Sequence, residues 1–386
     1  MRKVCLLGAS GSIGTQTLDV LKKNPSDFEL VAFSVGKQTR KIRKIVKDFP
    51  SVKYICVKKN AQKRYYQSLY PNIKFSSGDD GLLEIINNDS DMVVNALVGF
   101  VGLRPTLDAL EKDKIVCLAN KESLVVGGEL VNNLLEKGKG KLYPIDSEHS
   151  ALMKCLLVDD ENVEKLVLTA SGGAFRKLSR EQLKDVTPEQ ALAHPTWKMG
   201  KKITIDCATM VNKTFEIIEA HYLFNYPYKK IGVKLHDESM IHSYVIYKDG
   251  TYRLDIGKPD MRNPIKLALY EFKIPFETSV SDGLDCFDKW HFRDFDINRF
   301  PIVSMADLVI KKKGSYGAVF NAANEVAVNA FLDHQIPFLG IEEIITKLMN
   351  EHRLQRNLDY QKIAKIDKKT RKKAMKLVKE WRNAHA

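Results

Sequence analysis

Apolar and amphipathic segments alternate along the first part of the chain. The apolar run at residues 3–7 enters a glycine-rich turn, Gly8-Ala9-Ser10-Gly11-Ser12-Ile13-Gly14, and apolar residues then recur at helical spacing as far as Asn24-Pro25. A second apolar run at 30–35 completes one β-α-β unit. Further units follow, with strand-like runs at 54–57, 92–98, 114–119 and 141–145 and a helical pattern at 103–110. The alternation predicts a parallel sheet of Rossmann type.

The pattern changes after His149. The elements predicted there are a helix at 210–222 and strands at 165–169, 203–206, 243–247 and 251–256. The last two strands flank Asp249-Gly250, a strong hairpin signal, so this part of the chain contains antiparallel strands. Helical patterns return near the end and are most regular at 321–328.

We therefore predict an α/β chain that is divided into three domains. The predicted parts are an N-terminal Rossmann-like nucleotide-binding domain at 1–148, an α+β catalytic domain at 149–271, a linker at 272–301 and a C-terminal α-helical domain at 302–386. The polar stretch at 187–202 contains Trp197 and Met199, which suggests a lid over the catalytic domain. A tryptophan anchored in the core is the alternative.

The composition is that of an ordinary globular protein. Of the 386 residues, 44% are hydrophobic and 28% charged, and no apolar stretch approaches the ~20 residues of a membrane helix. The first apolar run is too short for a signal peptide. The six cysteines are scattered without a C-x-x-C pair, which argues against zinc ribbons and disulfide frameworks. We expect no membrane partner and a reducing cytoplasm.

The net charge of +13 is compatible with a nucleic-acid partner or with an anionic substrate. Much of the charge lies in the tail at 362–382, where apolar residues recur at helical spacing. A packed amphipathic helix with a solvated basic face is favoured over a nucleic-acid arm, because the chain has no helix-turn-helix, zinc-finger or RNP signature. We expect no nucleic-acid partner.

The glycine turn has the spacing G-x-x-G-x-x-G. Small residues let the backbone approach a pyrophosphate while the helix N-terminus supplies N–H donors; a tight turn without a ligand is the alternative. After the second strand the chain reads Gly36-Lys37-Gln38-Thr39-Arg40, with no acid to bond a ribose hydroxyl. Lys37 and Arg40 suit a 2′-phosphate, which favours NADP, although the basic run also continues into what could be a solvated helix start.

Polar clusters follow two of the predicted strands. One is Asn120-Lys121-Glu122-Ser123, and the other contains Asp146 and Glu148, which would point the same way from a strand end. Two convergent carboxylates form half of a hard-oxygen site for Mg²⁺ or Mn²⁺. A polar loop exit is the alternative for this pair. Both clusters are expected at the sheet edge that carries the glycine turn.

The predicted helix at 210–222 places Asn212, Lys213, Glu216 and Glu219 on one face. Glu216 is a candidate third metal carboxylate, with Asn212 and Lys213 as anion ligands; a surface ion pair between Lys213 and Glu216 is the alternative. Small residues around Ser171 suit an anion, or form a plain turn. His242 is expected to be structural rather than catalytic.

Together, these motifs resemble the 1-deoxy-D-xylulose 5-phosphate reductoisomerase family of the non-mevalonate isoprenoid pathway. The segments that carry the resemblance are GASGSIG at 8–14, LANKESLV at 118–125, PIDSEH at 144–149, TASGGAFR at 169–176 and HPTWKMGKKITIDCATMVNKTFE at 194–216. The resemblance implies conversion of a ketose phosphate to 2-C-methyl-D-erythritol 4-phosphate with NADPH and Mg²⁺, Mn²⁺ or Co²⁺, and a homodimer.

The resemblance also implies roles for individual residues. Asp146, Glu148 and Glu216 are the expected metal ligands, and the expected catalytic groups are Lys121, Glu148, His149 and His194. The expected NADPH contacts are Gly8, Ser10, Gly11, Ser12, Ile13, Gly36, Lys37, Gln38, Asn120, Glu122 and Gly200. The expected substrate contacts are Lys121, Ser147, Glu148, Ser171, His194, Trp197, Met199, Cys207, Asn212, Lys213 and Glu216.

One departure from the family pattern bears on function. Cys207 stands where the family usually has a serine that helps to bind the substrate phosphate, and a thiol is a weak donor. Phosphate binding is therefore expected to depend more on Ser171, Asn212 and Lys213. Two alternative functions remain at this point: a different NADP-dependent dehydrogenase without a metal, and a basic nucleic-acid-binding protein.

Overall fold

The computed structural model describes residues 1–197, 199–273 and 290–384. The chain forms two compact units. The first unit contains Met1–Ser123, Leu130–Asp146 and Met261–Ile274, and the second contains Leu124–Glu129, Ser147–Asp260 and Pro275–Ala386. Among the described residues, no helix has the length and the apolar character that a membrane crossing requires.

The first unit is built on a seven-stranded parallel sheet with the order β4-β3-β2-β1-β5-β6-β7. Its strands are β1 Arg2–Leu7, β2 Phe28–Val35, β3 Tyr54–Val57, β4 Lys74–Ser77, β5 Met92–Asn95, β6 Ile115–Leu118 and β7 Lys141–Pro144. Because both faces of such a sheet are covered by crossover helices, its inner strands β2, β1, β5 and β6 are mostly apolar and buried. The Rossmann-like part of the predicted fold class is confirmed.

Helices join these strands in regular alternation. They are α1 Ser12–Lys23, α2 Lys41–Asp48, α3 Asn60–Leu69, α4 Gly78–Ile86, α5 Leu103–Glu111 and α6 Lys121–Glu136. Helix α1 begins at the glycine turn that follows β1, and α2 begins at the basic loop that follows β2. The sheet order makes β1, β5, β6 and β7 consecutive neighbours, so the segments that follow them share one edge of the sheet.

The second unit contains a five-stranded sheet with the order β11-β10-β8-β9-β12. Its strands are β8 Val163–Ala170, β9 Ile231–His236, β10 Ile241–Tyr247, β11 Tyr252–Ile256 and β12 Phe292–Asp294. Strands β8 and β9 are parallel, and the other pairs are antiparallel. The predicted hairpin at Asp249-Gly250 joins β10 to β11. Strand β12 lies within the segment predicted to be a linker, of which 274–289 is outside the described residues.

The helices before β9 are α7 Ser147–Leu156, α8 Pro188–Leu192, α9 Lys201–Thr209 and α10 Val211–Phe224. Helix α11, at Arg262–Leu269, belongs to the first unit, and the chain ends with α12 Met305–Lys312, α13 Tyr316–Leu332, α14 Phe338–Asn350 and α15 Tyr360–Ala384. The apolar residues Ile363, Ile366 and Val378 of α15 are buried. The basic tail is therefore a packed amphipathic helix. The predicted domain boundaries stay a prediction.

The predicted strand at 203–206 is wrong, because these residues belong to helix α9. Alternating Ile-Thr-Ile favours a strand locally, but two contacts of i,i+4 type support the helix. The Thr204 hydroxyl donates to the Gly200 carbonyl at 2.9 Å, and the Lys202 ammonium lies 2.7 Å from the Asp206 carboxylate. Ile205 and Asp206 are also buried inside the second unit, and this packing outweighs the local preference for a strand.

Asp146 and Glu148 do not alternate at a strand end, as the sequence pattern predicted. Strand β7 ends at Pro144, and Glu148 lies in the first turn of α7, which begins at Ser147. Ser and Asp favour helix starts, and an acidic residue in the first turn is stabilised by the helix dipole. The helix therefore starts within the motif, and the two carboxylates belong to a loop and to a helix.

Helix α11 is followed by Glu271, which anchors this segment to the sheet of the first unit. The Glu271 carboxylate lies 2.5 Å from the Arg2 guanidinium and 3.1 Å from both the Lys141 ammonium and the Tyr143 hydroxyl. Burial alone would raise the pKa of Glu271, but the hydrogen bonds from Lys141, Arg2 and Tyr143 outweigh it and lower the pKa. The anchor requires the ionised carboxylate.

We expect Glu271→Gln to destabilise the protein at neutral pH by about 1 to 3 kcal/mol, since hydrogen bonds to a charged group are lost. The folded pKa lies below its ordinary value of 4.5. The contribution is therefore complete above that value and is lost as pH falls through the lowered pKa. Thermal unfolding of both proteins from pH 7 downward should show the difference closing in acid. A difference that persists in acid would contradict the assignment to ionic contacts.

Candidate active site

The glycine turn between β1 and α1 is closely packed against its neighbours. Gly8 has φ +86°, and a Cβ there would lie 2.5 Å from the Ala96 carbonyl oxygen. A Cβ on Gly14 would lie 2.2 Å from the Gly8 carbonyl oxygen. Helix α1 begins after Gly11 with no side-chain cap and no acid in its first turn. Its N–H groups at Ser12 and Ile13 can therefore receive an anion.

Asn120 and Glu122, which follow β6, form a buried hydrogen-bonded cluster. The Asn120 amide nitrogen donates to Gly99 O at 3.0 Å and to the Glu122 carboxylate at 2.8 Å. The Asn120 amide oxygen accepts from the Ser123 N–H at 3.0 Å, which caps helix α6. Gly102 lies so close to the Asn120 amide that a Cβ would approach its oxygen to 2.3 Å. The cluster fixes the loop conformation beside the glycine turn.

Lys121 and Asp146 come together at the same sheet edge. The Lys121 ammonium lies 2.5 Å from the Asp146 carboxylate, and both side chains are largely buried. The two residues are far apart in sequence but follow the neighbouring strands β6 and β7. Asp146 is also the last residue of its segment of the first unit, and the second unit resumes at Ser147.

Within the second unit, Lys213 joins two carboxylates. Its ammonium lies 3.2 Å from Glu148 Oε1 and also contacts the Glu216 carboxylate and the Thr169 carbonyl. Lys213 and Glu216 are 3% and 0% exposed, which excludes the surface ion pair that spacing alone allowed. Each glutamate offers a carboxylate oxygen, and these two oxygens lie within 4.8 Å of each other. The arrangement is a buried charge cluster.

Further polar side chains surround this cluster. The Asn212 amide donates to Glu216, and the Ser147 hydroxyl donates to Glu148 at 2.5 Å. His149 is fully buried, with Nε2 2.9 Å from the Glu216 carbonyl oxygen and Nδ1 3.8 Å from the Glu219 carboxylate. Since the Glu216 carbonyl can only accept, Nε2 carries the hydrogen. His149 thus fixes the backbone of Glu216 and, with it, the position of the Glu216 carboxylate.

Met210 sets the direction of α10. It is 2% exposed and takes the left-handed conformation, with φ +66°, at the junction between α9 and α10. The break places Asn212 and Lys213 in the first turn of α10, next to the end of β8 at Thr169. A buried non-glycine residue with positive φ costs backbone energy, and such strain recurs at functional sites.

His194 and Ser171 form a second polar group in this unit. His194 Nδ1 accepts from the Trp197 N–H at 2.9 Å and the Thr196 N–H at 3.2 Å, so the hydrogen lies on Nε2. Nε2 is 3.3 Å from the Ser171 hydroxyl, which leaves that hydroxyl free to donate. Burial lowers the pKa of His194, and the Arg176 charge lowers it further. His194 is therefore a neutral donor at physiological pH.

Three further residues predicted for substrate binding lie just before α9 or within it: Trp197, Met199 and Cys207. Trp197 is half-buried, with its ring centroid 6.2 Å from that of His242, so it is not anchored in the core. Met199 is half-buried, and Gly200, the exposed residue that caps α9, belongs to the second unit. Gly173, with φ +67°, lies against the Cys207 carbonyl, which a Cβ would approach to 2.6 Å. The loop after β8 thus packs on the backbone at Cys207.

Known proteins resemble this chain over nearly its whole length. Family models for 1-deoxy-D-xylulose 5-phosphate reductoisomerase match residues 4–128, and models of its C-terminal domains match 142–224 and 256–373. The reductoisomerase 2 of Bacillus thuringiensis subsp. konkukian is 46% identical over 98% of this chain and 100% of the relative. The chain belongs to the 1-deoxy-D-xylulose 5-phosphate reductoisomerase family.

Other members of the family give the same result. The reductoisomerase of Listeria innocua is 43% identical and covers 96% of this chain and 98% of the relative. A crystal structure of DOX-P reductoisomerase with NADPH, fosmidomycin and magnesium matches with a TM-score of 0.91 at 32% identity, covering 98% of both chains. The Zymomonas mobilis reductoisomerase with NADPH matches at 0.89 and 35%, covering 98% of this chain and 99% of that one.

These comparisons confirm several predictions made from the sequence. The fold class, the enzyme class and the NADPH- and metal-dependent conversion of 1-deoxy-D-xylulose 5-phosphate in isoprenoid biosynthesis are those of the reductoisomerase family. NADPH and a divalent metal are confirmed as the cofactors of this enzyme family. Membership also decides against the metal-free dehydrogenase and the nucleic-acid-binding protein.

The chemistry of the site fits a divalent cation. Glu148 and Glu216 supply hard carboxylate oxygens, the ligands that Mg²⁺ and Mn²⁺ prefer. The amide oxygen of Asn212 is buried and has no hydrogen-bond partner among the described residues. Two buried carboxylates need a positive charge beside them, and without a metal the Lys213 ammonium supplies it. The residues present are therefore suited to the metal of the reductoisomerase family.

Two contacts of the site could not be found from the sequence. The Thr169 carbonyl that accepts from Lys213 is a backbone group, and no residue type signals it. The Asn324 amide on α13 donates to the buried Asp206 carboxylate at 2.9 Å and so ties α9 to the C-terminal helices. Nothing in the sequence connects Asn324 to Asp206, and the i,i+4 ion pair of Lys202 with Asp206 exists only because this segment is a helix. Both contacts depend on tertiary packing.

Proposed function

We propose that this chain converts 1-deoxy-D-xylulose 5-phosphate to 2-C-methyl-D-erythritol 4-phosphate at a site built around Glu148, Lys213 and Glu216. The observation that carries this proposal is the buried cluster in which the Lys213 ammonium contacts both carboxylates. Asp146 is proposed as the third metal ligand, because only Ser147 separates it from Glu148. Mg²⁺ and Mn²⁺ suit three carboxylates, and Co²⁺ is the third metal that the family resemblance implies.

Isomerisation and reduction need charge balance and proton control at the substrate oxygens. When bound, the metal ion and NADPH supply a Lewis acid and a hydride. Lys121 holds a positive charge at Nζ, where it can stabilise a developing oxyanion or donate a proton. Glu148 can accept a proton at the oxygen that does not contact Lys213. His149 keeps Glu216 in position through its backbone.

The phosphate end of the substrate is assigned to the loop after β8 and the start of α10. The Ser171 hydroxyl is free to donate, and the neutral His194 orients it by donating its Nε2–H to the Ser171 oxygen. Asn212 and Lys213 lie in the first turn of α10, where the helix dipole also favours an anion. Cys207 contributes only a weak S–H donor, so Ser171, Asn212 and Lys213 are proposed to carry the phosphate interaction. Trp197 and Met199 are proposed to cover the substrate as part of a lid.

NADPH is assigned to the edge of the seven-stranded sheet. The glycine turn at 8–14 would hold the pyrophosphate at the uncapped start of α1. Gly36, Lys37 and Gln38 follow β2, where a Rossmann fold contacts the ribose. Asn120 and Glu122 follow β6, farther along the same edge of the sheet, and are proposed to contact another part of the cofactor. Gly200 is proposed to reach NADPH as part of the lid.

One assay tests this function directly. The native protein is mixed with NADPH, Mn²⁺ and 1-deoxy-D-xylulose 5-phosphate, and absorbance at 340 nm is followed with and without a chelator. We expect oxidation of NADPH that stops on chelation and resumes when Mn²⁺ is added back. The same sugar without its phosphate should react poorly, since the phosphate contacts are then unused. Turnover that survives complete chelation would refute the metal assignment.

We also propose that the chain forms a homodimer through one face of its five-stranded sheet. Tyr252 and Leu254 on the edge strand β11 and Phe292 on the opposite edge strand β12 are 60%, 41% and 40% exposed. The Tyr244 ring between them lies 6.0 Å from the Tyr252 ring and 6.2 Å from the Phe292 ring, so these side chains share a face. A broad apolar face suits a second copy of the chain, which buries the same patch twice.

Sedimentation velocity can test the homodimer. The native protein should sediment at twice the mass of the chain, and Leu254→Lys should shift it towards the monomer. Leu157→Lys is the matched control, because Leu157 is an equally apolar residue, 64% exposed, outside this face. A Leu254→Lys protein that stays dimeric at low concentration would show that another surface forms the interface.

The compartment and the domain boundaries belong to the same proposal. Cys5, Cys56, Cys117, Cys155 and Cys207 are free thiols, which fits a reducing compartment such as the cytoplasm. The proposed division remains a nucleotide-binding domain at 1–148, a catalytic domain at 149–271 with a lid near 187–202, a linker at 272–301 and a helical domain at 302–386.

A further inference from the structure

A lysine connects the two loops that are proposed to hold NADPH. Lys41 is the first residue of α2, which begins after the basic loop that follows β2. Its ammonium donates to the Ser10 carbonyl at 2.9 Å and lies 3.3 Å from the Thr15 hydroxyl. Ser10 is in the glycine turn and Thr15 is in the first turn of α1. One side chain thus links the loop after β2 to the turn after β1.

The hydrogen-bond capacity of Lys41 is not exhausted by these contacts. An ammonium group has three N–H donors. Ser10 and Thr15 accept from two of them, and the Thr15 hydroxyl in turn donates to the Gly11 carbonyl at 2.8 Å. The third donor has no partner among the described residues. Two neutral acceptors, the Ser10 carbonyl and the Thr15 hydroxyl, therefore hold the half-buried Lys41 ammonium in one place while one of its N–H groups stays available.

The place is suited to a phosphate. In a Rossmann fold the residues after the second strand contact the 2′ position of the adenosine ribose, and an NAD-binding unit has an acid there. Residues 36–41 of this chain contain no acid and three cations. The N-terminus of α2 adds the positive end of a helix dipole at Lys41. Arg43, Lys44 and Lys47 of the same helix are exposed.

We propose that Lys41 is a specificity-determining residue that binds the 2′-phosphate of NADPH. The inference rests on the proposed NADPH site and adds to it a residue outside the family motifs. Because Ser10 and Thr15 orient the ammonium before the cofactor arrives, little side-chain freedom remains to be lost on binding. Lys41 therefore contributes discrimination between NADPH and NADH rather than affinity for any dinucleotide.

The test compares Lys41→Gln with Lys47→Gln, which removes the same charge from the far end of α2. Calorimetry would give Kd values of the metal-free proteins for NADPH, NADH, adenosine 2′,5′-bisphosphate and AMP, so that no turnover is needed. For Lys41→Gln we expect about tenfold weaker binding of NADPH and of adenosine 2′,5′-bisphosphate, the loss of one hydrogen bond to a charged group. NADH and AMP should change by less than about twofold.

The controls separate orientation from charge. Lys47→Gln should leave all four Kd values unchanged, and Lys41→Arg should recover most of the preference for NADPH. Thr15→Val keeps every charge but removes one acceptor that orients Lys41. It should weaken the binding of NADPH but not of NADH, and by less than Lys41→Gln does. If Lys41→Gln fails to fold, Thr15→Val provides the test in its place.

An equal loss of NADPH and NADH affinity in Lys41→Gln would overturn the inference, because Lys41 would then serve only the turn or the pyrophosphate. An unchanged preference for NADPH would overturn it as well. In both cases the proposed function stands. If the native protein bound neither dinucleotide, the proposed function would fail first, which distinguishes the two failures.

Discussion

Glu216→Gln should abolish turnover while NADPH still binds with nearly its native affinity. The substitution keeps the size of the side chain and removes the negative charge that a metal ligand needs. Loss of a Lewis acid removes several kcal/mol of transition-state stabilisation, so kcat should fall about 10³-fold or more. Apart from Gly200, the proposed NADPH residues lie in the first unit, whereas Glu216 lies in the second. Cofactor binding is therefore not expected to follow the loss of activity.

Three measurements decide this prediction. Turnover is followed at 340 nm, Mn²⁺ binding by calorimetry and NADPH binding by fluorescence. Glu343→Gln is the matched control, because Glu343 is an exposed glutamate on α14 and should behave as native. Native turnover in Glu216→Gln would eliminate Glu216 as a ligand. Loss of NADPH binding together with activity would indicate misfolding instead.

The second large effect is expected for Lys213→Met, which should destabilise the metal-free protein by about 3 to 5 kcal/mol. Lys213 is 3% exposed and contacts the carboxylates of Glu148 and Glu216. Methionine has a similar length but carries no charge, so the two carboxylates would repel each other without a counter-ion. Substrate binding should weaken as well, because Lys213 is a proposed phosphate ligand.

The distinguishing feature of this variant is its response to metal. A bound Mn²⁺ would supply the positive charge that methionine lacks, so the rise in Tm on adding Mn²⁺ should be larger in Lys213→Met than in the native protein. Lys202→Met is the control, since it breaks the ion pair with Asp206 at 2.7 Å, which contains no proposed metal ligand. Lys202→Met should lose stability equally with and without Mn²⁺. If Lys213→Met also lost the same stability with and without Mn²⁺, the metal would have to bind elsewhere.

Much of this site was visible in the sequence because its chemistry is local. The glycine turn, the basic loop at 36–40 and the polar residues after β6 and β7 each follow an apolar run. Residues at the carboxyl ends of neighbouring parallel strands meet at one edge of a sheet, so linear order was enough to bring Lys121 to Asp146. The common face of Asn212, Lys213 and Glu216 followed in the same way from helical periodicity.

The errors have a physical origin too. The strand predicted at 203–206 rested on β-branched residues, whose preference is weaker than the packing of α9 against the rest of its unit. The geometry assumed for Asp146 and Glu148 extended a strand period into a segment where α7 begins. In the sequence, Lys41 is one cation among several in the basic run. Only the structure distinguishes it from Arg43, Lys44 and Lys47, because its hydrogen bonds reach Ser10 and Thr15.

The sequence by itself determined the alternation of strands and helices in the first unit, the family and the residue types of the site. These follow from periodicity, turn chemistry and motifs, which are properties of short segments. Only the tertiary structure decided that Lys213 and Glu216 form a buried cluster rather than a surface pair, and that Glu271, Asn324 and Lys41 hold distant segments together. Burial and long-range partners depend on how elements pack, and packing is a property of the whole chain.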